Sequence, residues 1–356
     1  MTSNPYHRSR RRLLGLGLAC GLIGAGRETR ARSEPDSSYG QRPEVQEFGA
    51  ELARRNNLDP AWVRTCLRAG RRCRQAERWM SAGKSAPRDW HRFRVSQIDP
   101  RKLDHGHAFW HEYPEALKQA QANFGIAPEF VVAILGIESA YGRVTGRYRT
   151  LDVLLTLAFD CPRRAAEYRE ELAQFLLLCH EQGRDPTGYL GSIAGAIGLP
   201  QFLPSSIRRY ALDFDHDGRI DIVHSAADAV GSVAHFLYQH GWRADIPVFI
   251  DVQVPAAAAK AASDALDAPW RWSQLQDLGA TSKPDLAPDQ SVQLIVLPYL
   301  DAQGQPMQEF RLGTENLGAL LGYNRSYFYA ASVADLALEL RNRFDAEPVN
   351  DHSASG

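Results

Sequence analysis

One carboxylate sits where few are found. The segment from Pro128 to Gly142 reads PEFVVAILGIESAYG. Pro128 suits the first turn of a helix and Gly142 suits its C-terminal cap. Stepping back from Glu138 by three, four and seven residues reaches Leu135, Ile134 and Val131. Glu138 therefore shares the face of the helix that is otherwise apolar. Burial disfavours an ionised carboxylate, and a carboxyl that stays protonated near neutral pH can act as a general acid. From the helix alone, a structural ion pair with Arg143 or Arg147 is the favoured account of the position, since structural ion pairs are common and buried unpaired acids are rare.

A second segment offers ligand chemistry rather than proton chemistry. Gly191, Gly195 and Gly198 let the backbone come close to a neighbour, and Pro200 and Pro204 prevent a continuous helix. Between the prolines lie Gln201 and Phe202, an amide and an aromatic face of the kind that reads acetamido groups and pyranose rings. The alternative is a Gly/Pro-rich connector with no ligand.

A third segment is built from oxygen ligands. Asp213, Asp215 and Asp217 occupy positions 1, 3 and 5 of an EF-hand-like loop, Gly218 the turn at 6, the Arg219 carbonyl position 7 and Asp221 position 9. Oxygen donors of this kind suit Ca²⁺. Position 12 is His224 where an EF-hand has Glu, and Asp228, four residues on, is expected to close a longer loop of 213–228. The ion is expected to brace the chain and to take no part in chemistry. A calcium sensor is disfavoured, because sensor loops come in pairs and there is one here.

The elements that must position these groups are mostly helical. Helices are expected over Glu44–Asn56, from Pro60 behind the cap residue Asp59, over Phe109–Phe124, from Pro128, and over Leu151–Ala158, Pro162–Glu181, Ser225–His240 and Val333–Asn342. Pro247–Val254, Val292–Tyr299 and Met307–Leu312 read as strands. The expected organisation is a linker at 33–43, a helical lobe and catalytic core over 44–245, a small mixed insert over 246–314, a return to the core over 315–345 and a polar tail over 346–356.

Residues 1–32 read as an export address. A basic cluster, Arg8 to Arg12, precedes an uncharged run from Leu13 to Gly26 that is too short for a membrane helix. Ser9-Arg10-Arg11-Arg12-Leu13-Leu14 resembles the twin-arginine motif, with a general-secretion signal as the alternative. Gly17-Leu18-Ala19-Cys20 is a poorer lipoprotein box. The expected location is the periplasm. The chain holds 41 basic and 42 acidic residues, but the first 32 take seven Arg against one acid, which leaves 34 against 41, a net −7. Such a body has no basic surplus for nucleic acid. Cys66, Cys73, Cys161 and Cys179 permit two disulfides in that compartment, 66–73 with 161–179 being the most local, or four buried thiols.

Taken in order, these segments resemble the membrane-bound lytic murein transglycosylase B family over residues 44–342. The likeness rests on Gly136–Gly142, Arg149-Thr-Leu-Asp152, Phe159–Arg164, Gly191–Ser205 and Asp228–Ala234. It implies a mainly α (α+β) fold, a lysozyme-like helical core with an extra helical lobe and a small β-containing insert. It implies cleavage of the β-1,4 bond between N-acetylmuramic acid and N-acetylglucosamine in peptidoglycan, leaving 1,6-anhydromuramic ends. Glu138 matches the catalytic acid/base, and Ser192, Gln201, Tyr323, Asn324 and Tyr329 match cleft residues of the family that contact the sugar or support the acid. Phe93 and Phe236 match substrate-binding positions too, but the family has Tyr at both, so each loses a hydroxyl that could hydrogen-bond the acid or the sugar. No cofactor is implied for catalysis. Glycan strands are the expected partner, proteins of wall synthesis or turnover further ones, and a monomer the expected state. Two rivals stay open: a hydrolytic muramidase using Asp152 or Asp160 as second carboxylate, and a wall-binding protein without activity.

Overall fold

The computed structural model describes residues 39–82, 89–264 and 269–346, so the export segment and the polar tail lie outside the described residues. Two compact units result. The larger comprises the described residues up to 82, Gln97–Gln239 and the chain from Asp335; the smaller comprises Asp89–Ser96 and His240–Ala334.

The larger unit is helical. Its helices are α1 (Pro43–Asn56), α2 (Pro60–Ala69), α3 (Arg74–Ser81), α5 (Pro100–Glu112), α6 (Pro114–Phe124), α7 (Pro128–Ser139), α8 (Thr150–Phe159), α9 (Ala165–Glu181), α10 (Pro204–Tyr210) and α11 (Ala226–Gln239); α4 (Trp90–Gln97) begins in the smaller unit. Five of these carry proline in the first turn after an extended residue, where the missing N–H has no helical partner to lose. Asp59 caps α2 by accepting from the Ala61 N–H at 2.8 Å, and Asp99 caps α5 through Lys102 N at 3.0 Å. The core lies around α7 and α8. Val131 to Leu135 and Leu151, Val153, Leu154, Leu155 and Leu157 are all fully buried. Each such side chain contributes roughly 1.5–3 kcal/mol of burial, which is why neither helix needs a polar face. No single described helix is long and apolar enough to cross a membrane.

Two expected helices come out divided. Phe109–Phe124 is split at Tyr113, because Pro114 cannot continue the hydrogen-bond ladder and disfavours helical backbone at the residue before it. Pro162–Glu181 starts as a 3₁₀ turn at Pro162–Arg164 before α9 proper.

The smaller unit is built on a five-stranded antiparallel sheet of order β4-β6-β7-β3-β5, from β3 (Phe249–Gln253), β4 (Trp270–Arg271), β5 (Thr281–Lys283), β6 (Ser291–Leu300) and β7 (Pro306–Gly313). The hairpin of β6 and β7 pairs from Gln293↔Gly313 to Leu300↔Pro306. Helices α12 (Ala256–Asp264) and α13 (Trp272–Asp277) accompany it, and Ala258, Trp272, Leu275, Val292, Leu294 and Leu312 form its core. The unit exceeds the expected insert of 246–314 at both ends. It runs on through α14 (Glu315–Tyr323) into the start of α15 (Tyr327–Asp345). It also takes in Asp89–Ser96: Trp90 Nε1 donates to Glu309 Oε2 at 2.9 Å, Asp89 Oδ2 accepts from Leu300 N at 2.8 Å, and His91 stacks on Tyr299 with centroids 3.8 Å apart.

The four described cysteines are free, buried thiols, so the local pairing 66–73 with 161–179 is not formed. Burial pushes the Cys66 thiol up to about 11 and raises those of Cys73, Cys161 and Cys179. Thiols held protonated in this way are poor nucleophiles.

Candidate active site

Glu138 lies on the last turn of α7 and is 9% exposed. The chain leaves that turn by a sharp reversal. Ala140, Tyr141 and Gly142 all take left-handed backbone, with φ of 49°, 60° and 83°. The Tyr141 N–H returns to Leu135 O at 3.1 Å and the Ala140 N–H to Gly136 O at 3.1 Å, a double closure of the helix end. Left-handed backbone at two consecutive residues with side chains is uncommon and costs energy that its surroundings must offset. Here the surroundings are visible. Ser139 Oγ accepts from Gly142 N at 2.9 Å. The Tyr141 ring fills a slot over Gly106 and Gly136, where any added Cβ would overlap it, and lies 5.6 Å from the Phe109 ring. The reversal thus begins two residues after Glu138 in the chain.

The Gln201 segment is fastened to that reversal at several points. β1 (Tyr148–Arg149) pairs with β2 (Leu190–Gly191), Tyr148 facing Gly191. Gln201 Nε2 donates to Thr145 O at 3.0 Å and to Gly198 O at 2.8 Å. A Cβ on Gly142 would stand 3.2 Å from the Leu199 side chain. At Gly146, φ is +102° and a Cβ would overlap the Gly191 backbone. Both amide protons of Gln201 are therefore held by carbonyls, which fixes the orientation of its Oε1, and Gln201 itself sits at φ 49°. Ser192 Oγ accepts from Ala194 N at 3.3 Å and Ala196 N at 3.1 Å, so it shapes the turn that ends at Gly198. Glu171, on α9, accepts from Ser205 N at 3.0 Å and Ser205 Oγ at 2.6 Å and anchors the start of α10.

Glu138, Ser192 and Gln201 are thus carried on fastened segments of one unit. Phe236 belongs to the same unit in another capacity than a sugar contact: it is 4% exposed and packs on Phe202 at 5.5 Å and Tyr210 at 4.8 Å, supporting the Gln201 turn from within the core. The remaining predicted residues gather in the smaller unit. Tyr323 and Tyr329 lie stacked with centroids 6.2 Å apart, Asn324 caps α14 and its carbonyl accepts from Ser326 N at 2.7 Å, and Phe93 packs on Phe328 at 5.4 Å. Tyr329 is 4% exposed.

The two carboxylates weighed for a hydrolytic rival are engaged in structural bonds. Asp152 Oδ1 accepts from Arg71 N at 2.9 Å and its other oxygen lies 3.4 Å from Arg149. Asp160 accepts from the Tyr39 hydroxyl and pairs with Arg42 at 2.5 Å. Both clamp the first helices of the chain onto α8.

In the acidic loop, one oxygen from each of Asp213, Asp215 and Asp217 lies within 4.8 Å of the others. Oxygens that share one Ca²⁺ at 2.3–2.6 Å are separated by at most about 5 Å, so the set fits that ion. Gly218, at φ +90°, makes the turn, and its N–H and that of Asp217 point back to Asp213 at 3.0 and 3.1 Å. Asp228 has a different job from the ligand expected of it. It is 1% exposed; Oδ1 accepts from Phe214 N at 2.7 Å and Oδ2 from Asp221 N at 2.7 Å, so it holds the two ends of the loop to α11. Burial raises its pKa, against the pull of those N–H donors. Asp221 pairs with Arg184 at 3.4 Å and accepts from the backbone of Val223 and His224 at 3.0 and 3.1 Å.

Residues 40–338 match the family model described as the transglycosylase SLT domain. The chain belongs to that transglycosylase family. Over 309 residues this transglycosylase is 33% identical to membrane-bound lytic murein transglycosylase B of Escherichia coli (strain K12), covering 84% of this chain and 82% of that one. Soluble lytic transglycosylase SltB1 of Pseudomonas aeruginosa superposes with a TM-score of 0.77 at 35% identity, over 85% of this chain and 100% of its own. The E. coli lytic transglycosylase Slt35, solved in complex with calcium, gives 0.74 at 32% identity over 85% and 93%. P. aeruginosa SltB3, solved in complex with NAG-anhNAM-pentapeptide, gives 0.73 at 25% identity over 86% and 80%. The mainly helical, lysozyme-like fold and the lytic transglycosylase class expected from the sequence are both sustained.

Proposed function

We propose that this transglycosylase cleaves the β-1,4 bond between N-acetylmuramic acid and N-acetylglucosamine in peptidoglycan and closes a 1,6-anhydro ring on the muramic residue, with Glu138 as the only acid/base. The observation that carries this reading is a nearly buried carboxyl, Glu138, on a helix end strapped to the Gln201 turn, while Asp152 and Asp160 are engaged elsewhere. The anhydro sugar bound to the related SltB3 supports the choice of product.

A glycosidase that delivers water uses two carboxylates. One suffices if the substrate supplies the nucleophile. Protonated Glu138 gives its proton to the glycosidic oxygen as the C1–O bond breaks, and the N-acetylglucosamine side leaves as the alcohol. The muramic 2-acetamido group stabilises the positive charge developing at C1. The Glu138 carboxylate then takes the proton from that sugar's C6 hydroxyl, whose oxygen bonds to C1. The acid is regenerated and no water is consumed. Holding the C6 hydroxyl near C1 replaces a bimolecular encounter and supplies much of the rate. Gln201 and Ser192, carried by the same unit as Glu138, are proposed as sugar contacts or supports of the acid; Tyr323, Asn324 and Tyr329, on the smaller unit, are proposed as such on the family likeness alone. Digestion of purified sacculi is expected to release muropeptides lighter by one water than those of a hydrolytic muramidase; products with free reducing muramic ends would contradict the reading.

The acidic loop is proposed to hold Ca²⁺ through Asp213, Asp215 and Asp217 and the Arg219 carbonyl, bracing the chain between α10 and α11. Calcium at a hundredfold excess over its Kd is expected to stabilise chelator-treated protein by about 2.7 kcal/mol, read as a rise in melting temperature. Asp215→Asn is expected to remove most of that rise. An equal rise in the variant would place the ion elsewhere. Export to the periplasm, work on glycan strands beside other wall-turnover proteins and a monomeric state complete the reading.

A further inference from the structure

We infer that His107 and His111 on α5 form a chelating site for a divalent transition-metal ion of the zinc class, separate from the acidic loop. The two residues are four apart on one helix, the spacing that brings side chains onto a common face. Their Nε2 atoms lie 3.3 Å apart. Two imidazole nitrogens bound to one zinc at 2.0–2.1 Å with a tetrahedral angle are separated by about 3.3 Å, so the two nitrogens already stand at the separation that a single ion requires.

The rings are held there by their surroundings. They meet edge to face, with centroids 4.6 Å apart and planes inclined at 65°. His111 also stacks on Phe344 of α15 at 5.4 Å and 26°, and Phe344 stacks in turn on Trp110 at 4.5 Å and 17°. His111 is exposed and His107 half-buried, so an ion has access from solvent. The neighbouring charges have other partners: Asp104 pairs with Arg343 at 2.6 Å, and Glu112 accepts from the Tyr113 hydroxyl at 2.8 Å. Among the described residues the site thus offers two nitrogen ligands, and water can complete the coordination. Neutral imidazole can carry its proton on Nδ1 and free Nε2 for the metal, so the ion takes over the contact the two rings now make with each other and no net proton need be released. Imidazole donors favour zinc, copper and nickel over calcium, which separates this site chemically from the carboxylate loop.

The test is a zinc chloride titration, followed calorimetrically, of tag-free, chelator-stripped protein kept saturated with calcium so that the carboxylate loop is filled. One zinc per chain is expected. His107→Ala and His111→Ala are each expected to weaken binding at least about tenfold, since even an outer-shell partner is worth ~10–100-fold. His105→Ala, two positions before His107 on the same helix, is expected to leave it unchanged. Cobalt added to wild type should give visible absorption of a nitrogen-ligated ion, and the band should vanish in His111→Ala. Absence of zinc binding in wild type, or binding undiminished in both variants, would overturn the inference. None of these readouts depends on glycan cleavage.

Discussion

Glu138→Gln is expected to lower release of anhydromuropeptides from sacculi by about 10²–10⁴-fold. The upper end is the more natural outcome, because one carboxyl serves both proton transfers and its amide can serve neither. The amide keeps the size of the acid, and Glu138 lies at a helix end that is closed by backbone bonds of Tyr141 and Ala140 rather than by its own side chain. The variant should therefore fold, with unchanged circular dichroism, and should still sediment with sacculi. Loss of binding together with turnover would assign Glu138 to recognition. Turnover near wild type would remove it from the chemistry.

Gly146→Ala is expected to destabilise the protein by about 4 kcal/mol or more, among the largest effects of any single methyl group. At a position that tolerates it, the same change stabilises by roughly 0.4–1 kcal/mol, so the sign alone is informative. Gly146 has φ +102°, and the added Cβ would overlap the carbonyl carbon and oxygen of Gly191. Relief would have to come from moving β2 away from β1, which pulls on the Gln201–Thr145 bond and on the Ser192 turn. Denaturant unfolding measures the loss. A change of less than about 1 kcal/mol would mean that the strapping of the two segments is looser than described. Activity should fall with stability in this variant, whereas in Glu138→Gln it falls alone.

Much of the proposed catalytic segment is legible because its information is local. The apolar run, the Pro128 start and the single acid at its end lie within one stretch of chain, and α7 and the burial of Glu138 follow from them. The EF-hand-like spacing likewise places three carboxylates together without knowledge of anything distant. Gly146 was not legible, since its importance comes from Gly191, a partner forty-five positions away that only the fold brings against it. Tyr141 carries no signal of its own in the sequence; its ring is a wedge whose slot is made by Gly106 and Gly136. The short helix α4 offered no periodic signal. Its Trp90 is completed by Glu309, so nothing near it in sequence announces the unit it joins. The role of Asp228 was misread for a related reason: counting along the loop makes it a late ligand, whereas the backbone N–H groups of Phe214 and Asp221 claim its oxygens first. The break at Tyr113 is written in Pro114, which ends the hydrogen-bond ladder whatever the apolar pattern on either side.

Carrying out the sacculus digestion in ¹⁸O-labelled water bears most directly on whether one carboxyl and the substrate's own hydroxyl account for the reaction. Ring closure predicts muramic ends that are anhydro and free of label in the wild-type enzyme, with no such product from Glu138→Gln. Reducing muramic ends carrying ¹⁸O at C1 would show that water is the nucleophile, and would require a second carboxylate that this account does not contain.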